Sequence, residues 1–460
     1  MVTRSSLEEI VLAGLRPTQE EKGHVCGIAQ RILEKIRQGG KAEGMVVGSI
    51  ARNTWVKGDR DLDVFMLFDP SLSREQLETE GLALARSIAA AFTDKYHEKY
   101  AEHPYINATI EDVDVDLVPC YKVESASRIQ SAVDRTPFHT RYITEKINGL
   151  IDDVLLLKRF TKAGGIYGSD QMTEGFSGYL CELLILHYGG FTPLLKAAAE
   201  WKPRTLIDVE NHVAKEFDEP LVMIDPVDPK RNVAAAVSVD RMAEFVELAR
   251  GYLEAPSEAF FQLPISCTIT RSMLDQLLRD RGTKLYSLTF RTPPYIEEIV
   301  VPQLKRSTAG IAEHLERNGF SVHHAHYHMG PEECMILIEL LTDDLPAIRT
   351  HTGPPVWNRV NAEKFCAKHL SSPLPGPFIS GGRYETEVPR EFRHAGDLLR
   401  SEGMQQVSHG KHIRLSMENG WQVKEGADCW SPAFPSFIAG FFNRRSPLVR
   451  HETNACLPER

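Results

Sequence analysis

Residues 48–68 read GSIARNTWVKGDRDLDVFMLF, and the reading of this stretch decides the fold. It opens on Gly48-Ser49, crosses a polar turn and ends in an apolar run carrying Asp61 and Asp63. In a strand, residues two apart share a face, so the two carboxylates point one way while Leu62 and Val64 point into a core. Carboxylates facing the same way repel unless a cation stands between them. A divalent ion is the usual answer, and hard oxygen ligands suit magnesium. Upstream, glycine lets backbone approach a phosphate closely and serine adds a hydroxyl donor. A phosphate-binding turn feeding a strand with two metal-binding aspartates implies chemistry on a nucleotide.

Around this stretch the signals alternate between helix and strand. Thr18 to Glu21 is a capping box opening a helix whose apolar face is Val25, Ile28, Ile32 and Ile36, ended by Gly39-Gly40. Met45–Val47 is a short strand into the Gly-Ser turn, and Arg52 follows where it can meet anionic oxygens. Ser71 to about Lys95 reads as a helix and Tyr105–Ile110 as a strand. A second alternating strand, VDVDLVPCY, carries Asp114 and Asp116. Asp116 is the candidate third carboxylate, and parity leaves Asp114 open as an alternative. Three carboxylates on two neighbouring strands can hold two metal ions roughly 4 Å apart, the arrangement that drives in-line nucleotidyl transfer. The competing reading, aspartates that keep a sheet edge soluble, does not account for the Gly-Ser turn or the second D-x-D strand.

The 460 residues are enough for two or three domains. With 42% hydrophobic and 25% charged residues the composition is that of an ordinary globular protein. No uncharged apolar run reaches the length of a membrane span, and Glu8 and Glu9 argue against a signal peptide. The eight cysteines are scattered without a C-x-x-C pair and read as buried thiols of a reducing compartment. The net charge of −10 disfavours a nucleic-acid coat protein but leaves room for a local basic groove. Beyond about residue 149 helices dominate: one with Leu150, Val154 and Leu157 on a face followed by Lys158, one at Gly178–His187, one at Thr192–Trp201 and one capped by Ser238. The last third reads as helix (266–281), strand (285–290), helix with Val300, Leu304, Ile311 and Leu315, then strands at 320–328 and 335–341. That order suggests an open sheet with a helix on one side. The Pro-rich residues 342–380 include a helical stretch near 361–370. His324, His326 and His328 share a strand face, but no Cys or carboxylate partner supports a zinc reading.

The G-S, spacer, D-x-D pattern resembles the DNA polymerase β-like nucleotidyltransferases. The ordered segments GSIARNTW, DLDVFMLF, VDLVPCY, RTPFHT, LLLKRF, GIYGSD and DPKRNVA are similar to those of the archaeal (class I) CCA-adding enzymes, or tRNA nucleotidyltransferases. Where that family can use Glu as the first metal carboxylate, this chain has Asp61, and either can ligate. The resemblance implies an α+β protein: a catalytic head (1–142), a helical neck (143–256) and a C-terminal body (257–460) with a tail at about 316–381. It implies Asp61, Asp63 and Asp116 as catalytic, metal-binding residues with two Mg2+ ions. It further implies Gly48, Ser49, Arg52, His139, Lys158, Tyr167 and Arg231 as nucleotide contacts. Expected partners are CTP, ATP and the acceptor stem and outer corner of tRNA, without a membrane, in the cytoplasm, and with a homodimer possible. Arg383, Arg390, Arg393, Arg400, Lys411 and Arg414 are candidates for RNA phosphates. A poly(A) polymerase shares the core, and a catalytically silent RNA-binding protein is the alternative from another class.

Overall fold

The computed structural model describes residues 4–100, 102–264 and 267–452. It divides into two compact units, Met1–Ile265 with Arg445–Ala455, and Ser266–Arg444 with Cys456–Arg460.

In the first unit, α1 (Ser6–Leu15) and α2 (Gln19–Gly39) precede β1 (Glu43–Val47), the single-turn α3 (Gly48–Ala51), β2 (Asp61–Phe68) and α4 (Arg74–Ala90). Then follow β3 (Tyr96–Tyr100), β4 (Pro104–Ile110) and β5 (Val113–Tyr121). The five strands form one mixed sheet in the order β1-β2-β5-β4-β3, with β2 and β5 parallel and the other pairs antiparallel. The capping box of α2 is made, and Gly40 closes the helix in the left-handed conformation. Val25, Ile28, Ile32 and Ile36 are buried against Leu62, Val64, Val115 and Leu117 on one sheet face. Each such side chain contributes about 1.5–3 kcal/mol of burial. The expected long helix at 71–95 is shorter, and its last residues lead into β3, an exposed strand without the apolar alternation that marks its neighbours.

A second core gathers α5 (Thr136–Lys146), α6 (Ile151–Ala163), α7 (Gly178–Tyr188), α8 (Phe191–Ala198) and α9 (Val239–Glu254). Helix α1 joins this core through Leu12 and Leu15, with Arg4 and Arg16 bound to Asp152 at 2.9 and 2.7 Å. This region is not purely helical. Between α8 and α9, β6 (Thr205–Asp208), β7 (Leu221–Asp225) and β8 (Asp228–Asn232) make a three-stranded sheet. Its strands are only four or five residues long, and the Pro- and Asp-rich stretch expected to be connection supplies β8.

The second unit runs α10 (Arg271–Arg281), β9 (Lys284–Arg291), α11 (Glu297–Arg317), β10 (Val322–Met329), β11 (Glu333–Leu340), β12 (Ile348–Pro355) and α12 (Arg359–His369). It continues with β13 (Phe378–Ser380), β14 (Arg383–Pro389), α13 (Ala395–Arg400), α14 (Lys411–Glu418), β15 (Gln422–Glu425) and α15 (Pro435–Phe442). Its main sheet has the order β10-β11-β9-β15, with α11 packed through Val300, Leu304, Ile311 and Leu315. The tail expected at about 316–381 is corrected on both sides. Residues of β10 and β11 belong to the main sheet, and the separate sheet β12-β14-β13 with α12 extends to Pro389. The final helix, α16 (Pro447–Glu452), returns to the first unit, where Leu448 packs on the helical core beside Gly251 of α9.

The cysteines depart from expectation in part. Cys120, Cys181, Cys334 and Cys429 are buried thiols, but Cys26 is exposed, Cys366 is half-buried and Cys267 is disulfide-bonded. Cys456 lies outside the described residues, as does Ser266, the expected start of α10. Among the described residues no helix is long and apolar enough to cross a membrane.

The histidines of β10 have an aromatic role. His324 lies 4.7 Å from Phe441, and His328 is 5.1 Å from Phe437, both on α15. Burial, with Arg444 second, pushes His324 down to about 4. The unfolded chain therefore takes up a proton that the folded chain refuses. This contribution to stability is whole above about pH 6.5 and is lost as pH falls toward about 4. His324→Phe should flatten that acid limb in urea unfolding curves measured between those two pH values. An unchanged limb would refute the assignment.

Candidate active site

The parallel register of β2 and β5 sets Asp61 opposite Asp114 and Asp63 opposite Asp116. Four carboxylates thus share one end of one sheet face. Further along the same face the residues turn apolar, and Phe65, Leu67, Val118 and Cys120 pack together with Val47. Burial is the main cause that raises the pKa of Asp61, Asp63 and Asp116. Asp63 is pushed up to about 7, with Asp116 the next cause after burial. Asn107 of β4, directly opposite Asp116, donates its amide hydrogens to Asp114 Oδ1 and Asp116 Oδ1, both at 2.7 Å. One carboxylate oxygen on each is thereby committed.

Among the described residues no group of three or more His, Cys, Asp or Glu side chains is closed up into a metal site. The donor set nevertheless fits a divalent cation. It consists of hard anionic oxygens, partly desolvated and mutually repelling, whose charge such an ion would offset.

Gly48 follows β1 with φ +73°, a conformation that favours glycine. A Cβ there would lie 2.0 Å from Asp63 Oδ2, so no larger residue fits beside the carboxylate. The expected Gly-Ser turn is the one-turn helix α3, and the Ser49 carbonyl accepts from Thr54 N at 2.9 Å.

Arg52 does meet anionic oxygens, but they belong to the protein. Its Nε lies 3.1 and 3.0 Å from the two oxygens of Glu182, and Nη1 donates to Thr140 Oγ1 at 3.2 Å. Lys158 is buried and donates to the Thr54 carbonyl at 2.8 Å, with Glu182 at 3.6 Å. Thr54 also donates its hydroxyl to Glu182. Tyr167 belongs to the same cluster: a Cβ on Gly178 would meet both its hydroxyl, at 2.9 Å, and Lys158 Nζ, at 3.6 Å. Lys162, one turn beyond Lys158, sits over the Tyr167 ring and pairs with Asp59.

His139 and Arg231 form a neighbouring cluster around Asp225, which is fully buried. His139 Nε2 and Arg231 Nη1 lie 2.9 and 2.8 Å from Asp225 Oδ2. Burial lowers the His139 pKa, so the ring is neutral and its Nε2–H donates to the carboxylate. The ring stacks on Tyr179 at 4.2 Å. Both residues line a cavity of about 960 Å³ together with Arg135, Lys215, Phe217 and Lys230.

Glu182, Asp225 and Asn107 were not anticipated. Glu182 had a signal: it is the lone charge in LCELLIL, and a helix apolar all round must pair any charge it holds. The basic residues of the last third are dispersed. Arg383 donates to Gly353 O at 3.0 Å, Arg390 to Asn318 O at 3.0 Å and Arg400 to Val423 O at 3.3 Å. Each of the three thus spends a donor tying backbone together.

Three families match along the chain: "Nucleotidyltransferase domain" at residues 26–139, "tRNA nucleotidyltransferase, second domain" at 152–262, and "CCA-adding enzyme, C-terminal domain" at 281–426. A protein of Methanoregula boonei named CCA-adding enzyme is 69% identical over 453 residues, 98% of each chain. Another of that name from Methanosarcina acetivorans is 39% identical, covering 94% of this chain and 96% of the relative. One from Haloarcula marismortui is 39% identical over 94% and 97%. A solved cytoplasmic RNA terminal U-transferase overlaps 56% of this chain at 16% identity with a TM-score of 0.44, a likeness too slight to argue from. Nucleotidyltransferases of this superfamily generally use divalent metal ions. The chain belongs to the CCA-adding enzyme family and is a nucleotidyltransferase.

Proposed function

We propose that the enzyme adds and repairs the terminal CCA of tRNA, using CTP and ATP, at the carboxylate face of β2 and β5. The observation that carries this reading is the register that sets Asp63 opposite Asp116 beside Gly48. Asp61, Asp63 and Asp116 would hold two magnesium ions. Bound there, the ions supply charge neutralisation for the triphosphate and a lowered pKa for the attacking hydroxyl. The RNA 3′-oxygen attacks the α-phosphorus, the bond to the bridging oxygen breaks, pyrophosphate leaves, and the hydroxyl proton passes to solvent.

The chain's own part is positioning and charge. Asn107 holds Asp116 by one oxygen and leaves the other for a ligand. Gly48 leaves the space that Asp63 and a phosphate need, and the Ser49 hydroxyl adds a donor. Arg52, Lys158 and Tyr167 stand as one group at the triphosphate, and His139 and Arg231 border the cavity for the nucleotide. Residues 1–142 act as the catalytic head, 143–256 as the neck, and the remainder as the body that grips tRNA phosphates at the acceptor stem and outer corner. The cytoplasm, where tRNA is matured, is the place of action.

Incubation with tRNA lacking its CCA and each nucleotide in turn tests the reading. CTP then ATP incorporation with a stop after three residues is expected, whereas open-ended A tails would assign a poly(A) polymerase. Asp63→Asn should abolish incorporation while leaving the fold intact by circular dichroism, and a variant of undiminished rate would remove that residue from the mechanism. Gly48→Ala should lower kcat by about 100-fold or more, since it displaces the Asp63 carboxylate. Single-turnover incorporation measures it, and wild-type rates would contradict the steric argument. Asn107→Ala should raise the Mg2+ concentration needed for half-maximal rate and weaken Mn2+ binding read by electron paramagnetic resonance. An unshifted metal titration would deny Asn107 that part.

A further inference from the structure

Glu182 stands on α7 among Leu180, Cys181, Leu183, Leu184 and Ile185, all buried, and is itself 0% exposed. A lone carboxylate so deep costs several kcal/mol unless cations and donors compensate it. Three groups do so: Arg52 from the end of α3, Lys158 from α6, and the hydroxyl of Thr54. The balance is two cations against one anion, a buried cluster of net charge +1. Its charge reaches the carboxylate face, since Arg52 counts among the influences that lower the Asp63 pKa. Burial is the largest influence on Glu182 and opposes its charge, yet Arg52, Lys158 and the Thr54 hydroxyl together outweigh it and its pKa is lowered.

We infer that Glu182 is a positioning residue for nucleotide binding, which holds Arg52 and Lys158 side by side and keeps Lys158 charged for the triphosphate. This rests on the proposed assignment of Lys158 to the nucleotide. The lysine is fully enclosed, and burial drives its pKa down against the pull of Glu182. Take away the negative charge, and burial and the neighbouring arginine both favour the neutral lysine, with no anion left to oppose them. The other groups facing Lys158 do not replace the lost charge. Arg52 is a like charge that pushes the same way. The Cys181 thiol is pushed up to about 12 by burial, and the Tyr167 phenol is likewise raised, so both stay neutral. Sequence alone hides the arrangement, because Thr54, Lys158 and Glu182 come from segments far apart in the chain.

The test uses the full-length protein and calorimetric titration with CTP and with ATP, in Mg2+ without RNA, from about pH 7 to about pH 9. The wild-type Kd should depend less on pH over this range than that of Glu182→Gln. Glu182→Gln keeps the shape and removes the charge, and its Kd should weaken roughly tenfold as pH rises across it. Glu182→Asp keeps the charge on a shorter arm: binding should weaken by a pH-independent factor. A purely structural role would weaken binding in both variants without a new pH dependence. Circular dichroism confirms folding, and if Glu182→Gln does not fold, a sloping pH profile in Glu182→Asp overturns the inference. A level profile in Glu182→Gln overturns it too. The control is Lys158→Met. Weakened binding there with a level Glu182→Gln profile rejects the role of Glu182 alone. Unchanged binding in Lys158→Met rejects the nucleotide assignment on which the role stands.

Discussion

The parallel pairing of β2 with β5 is the constraint from which the site follows. Parallel neighbours cannot be joined by a tight turn, so the chain between them must make a long excursion. Here that excursion is α4 together with the β3–β4 hairpin, and α4 covers the face of the sheet opposite the carboxylates. The crossover therefore builds the core and aligns the aspartates in one movement. A slip of one residue would send Asp63 inward and Leu62 outward, exchanging a buried leucine for a buried charge. The buried apolar and aromatic side chains packed on the covered face make that exchange prohibitive, so register and chemistry are fixed together.

The second organising force is the treatment of buried charge. Glu182 and Asp225 are both 0% exposed, and each is held against groups that sequence reading assigned to a nucleotide: Arg52 and Lys158 beside Glu182, Arg231 and the neutral His139 beside Asp225. The protein thus holds its cationic groups in place with internal anions before any substrate arrives. On the proposed assignment of these residues to the nucleotide, such preorganisation lowers the reorganisation needed when a triphosphate binds. Among these groups, Lys158 spends its hydrogens on Thr54 and Glu182 in this structure, which makes the carboxylate part of how the lysine is presented.

Much of this was legible in the sequence because period-2 and period-3.6 patterns act locally. The D-x-D strands, the capped α2 and the helix face of α11 were all readable. What escaped was non-local or weakly patterned. Helix α1 is capped by Ser5 and Glu8 in a segment too short to declare a stripe, and β3 is exposed along most of its length. The sheet β6-β7-β8 hides in a stretch whose prolines and aspartates imitate a loop. The choice between Asp114 and Asp116 could not be made from parity, and Asn107, which touches both, could be found only once β4 was paired with β5.

The last helix carries a consequence for biogenesis. Leu448 of α16 packs on the helical core of the first unit, although Ser266–Arg444 of the second unit intervene in the chain. As the polypeptide leaves the ribosome, the catalytic portion must wait through nearly two hundred further residues before its packing is complete. A message cut short within that interval would yield a product with an unsealed apolar seam on α9, an exposed surface that quality-control proteases and chaperones recognise.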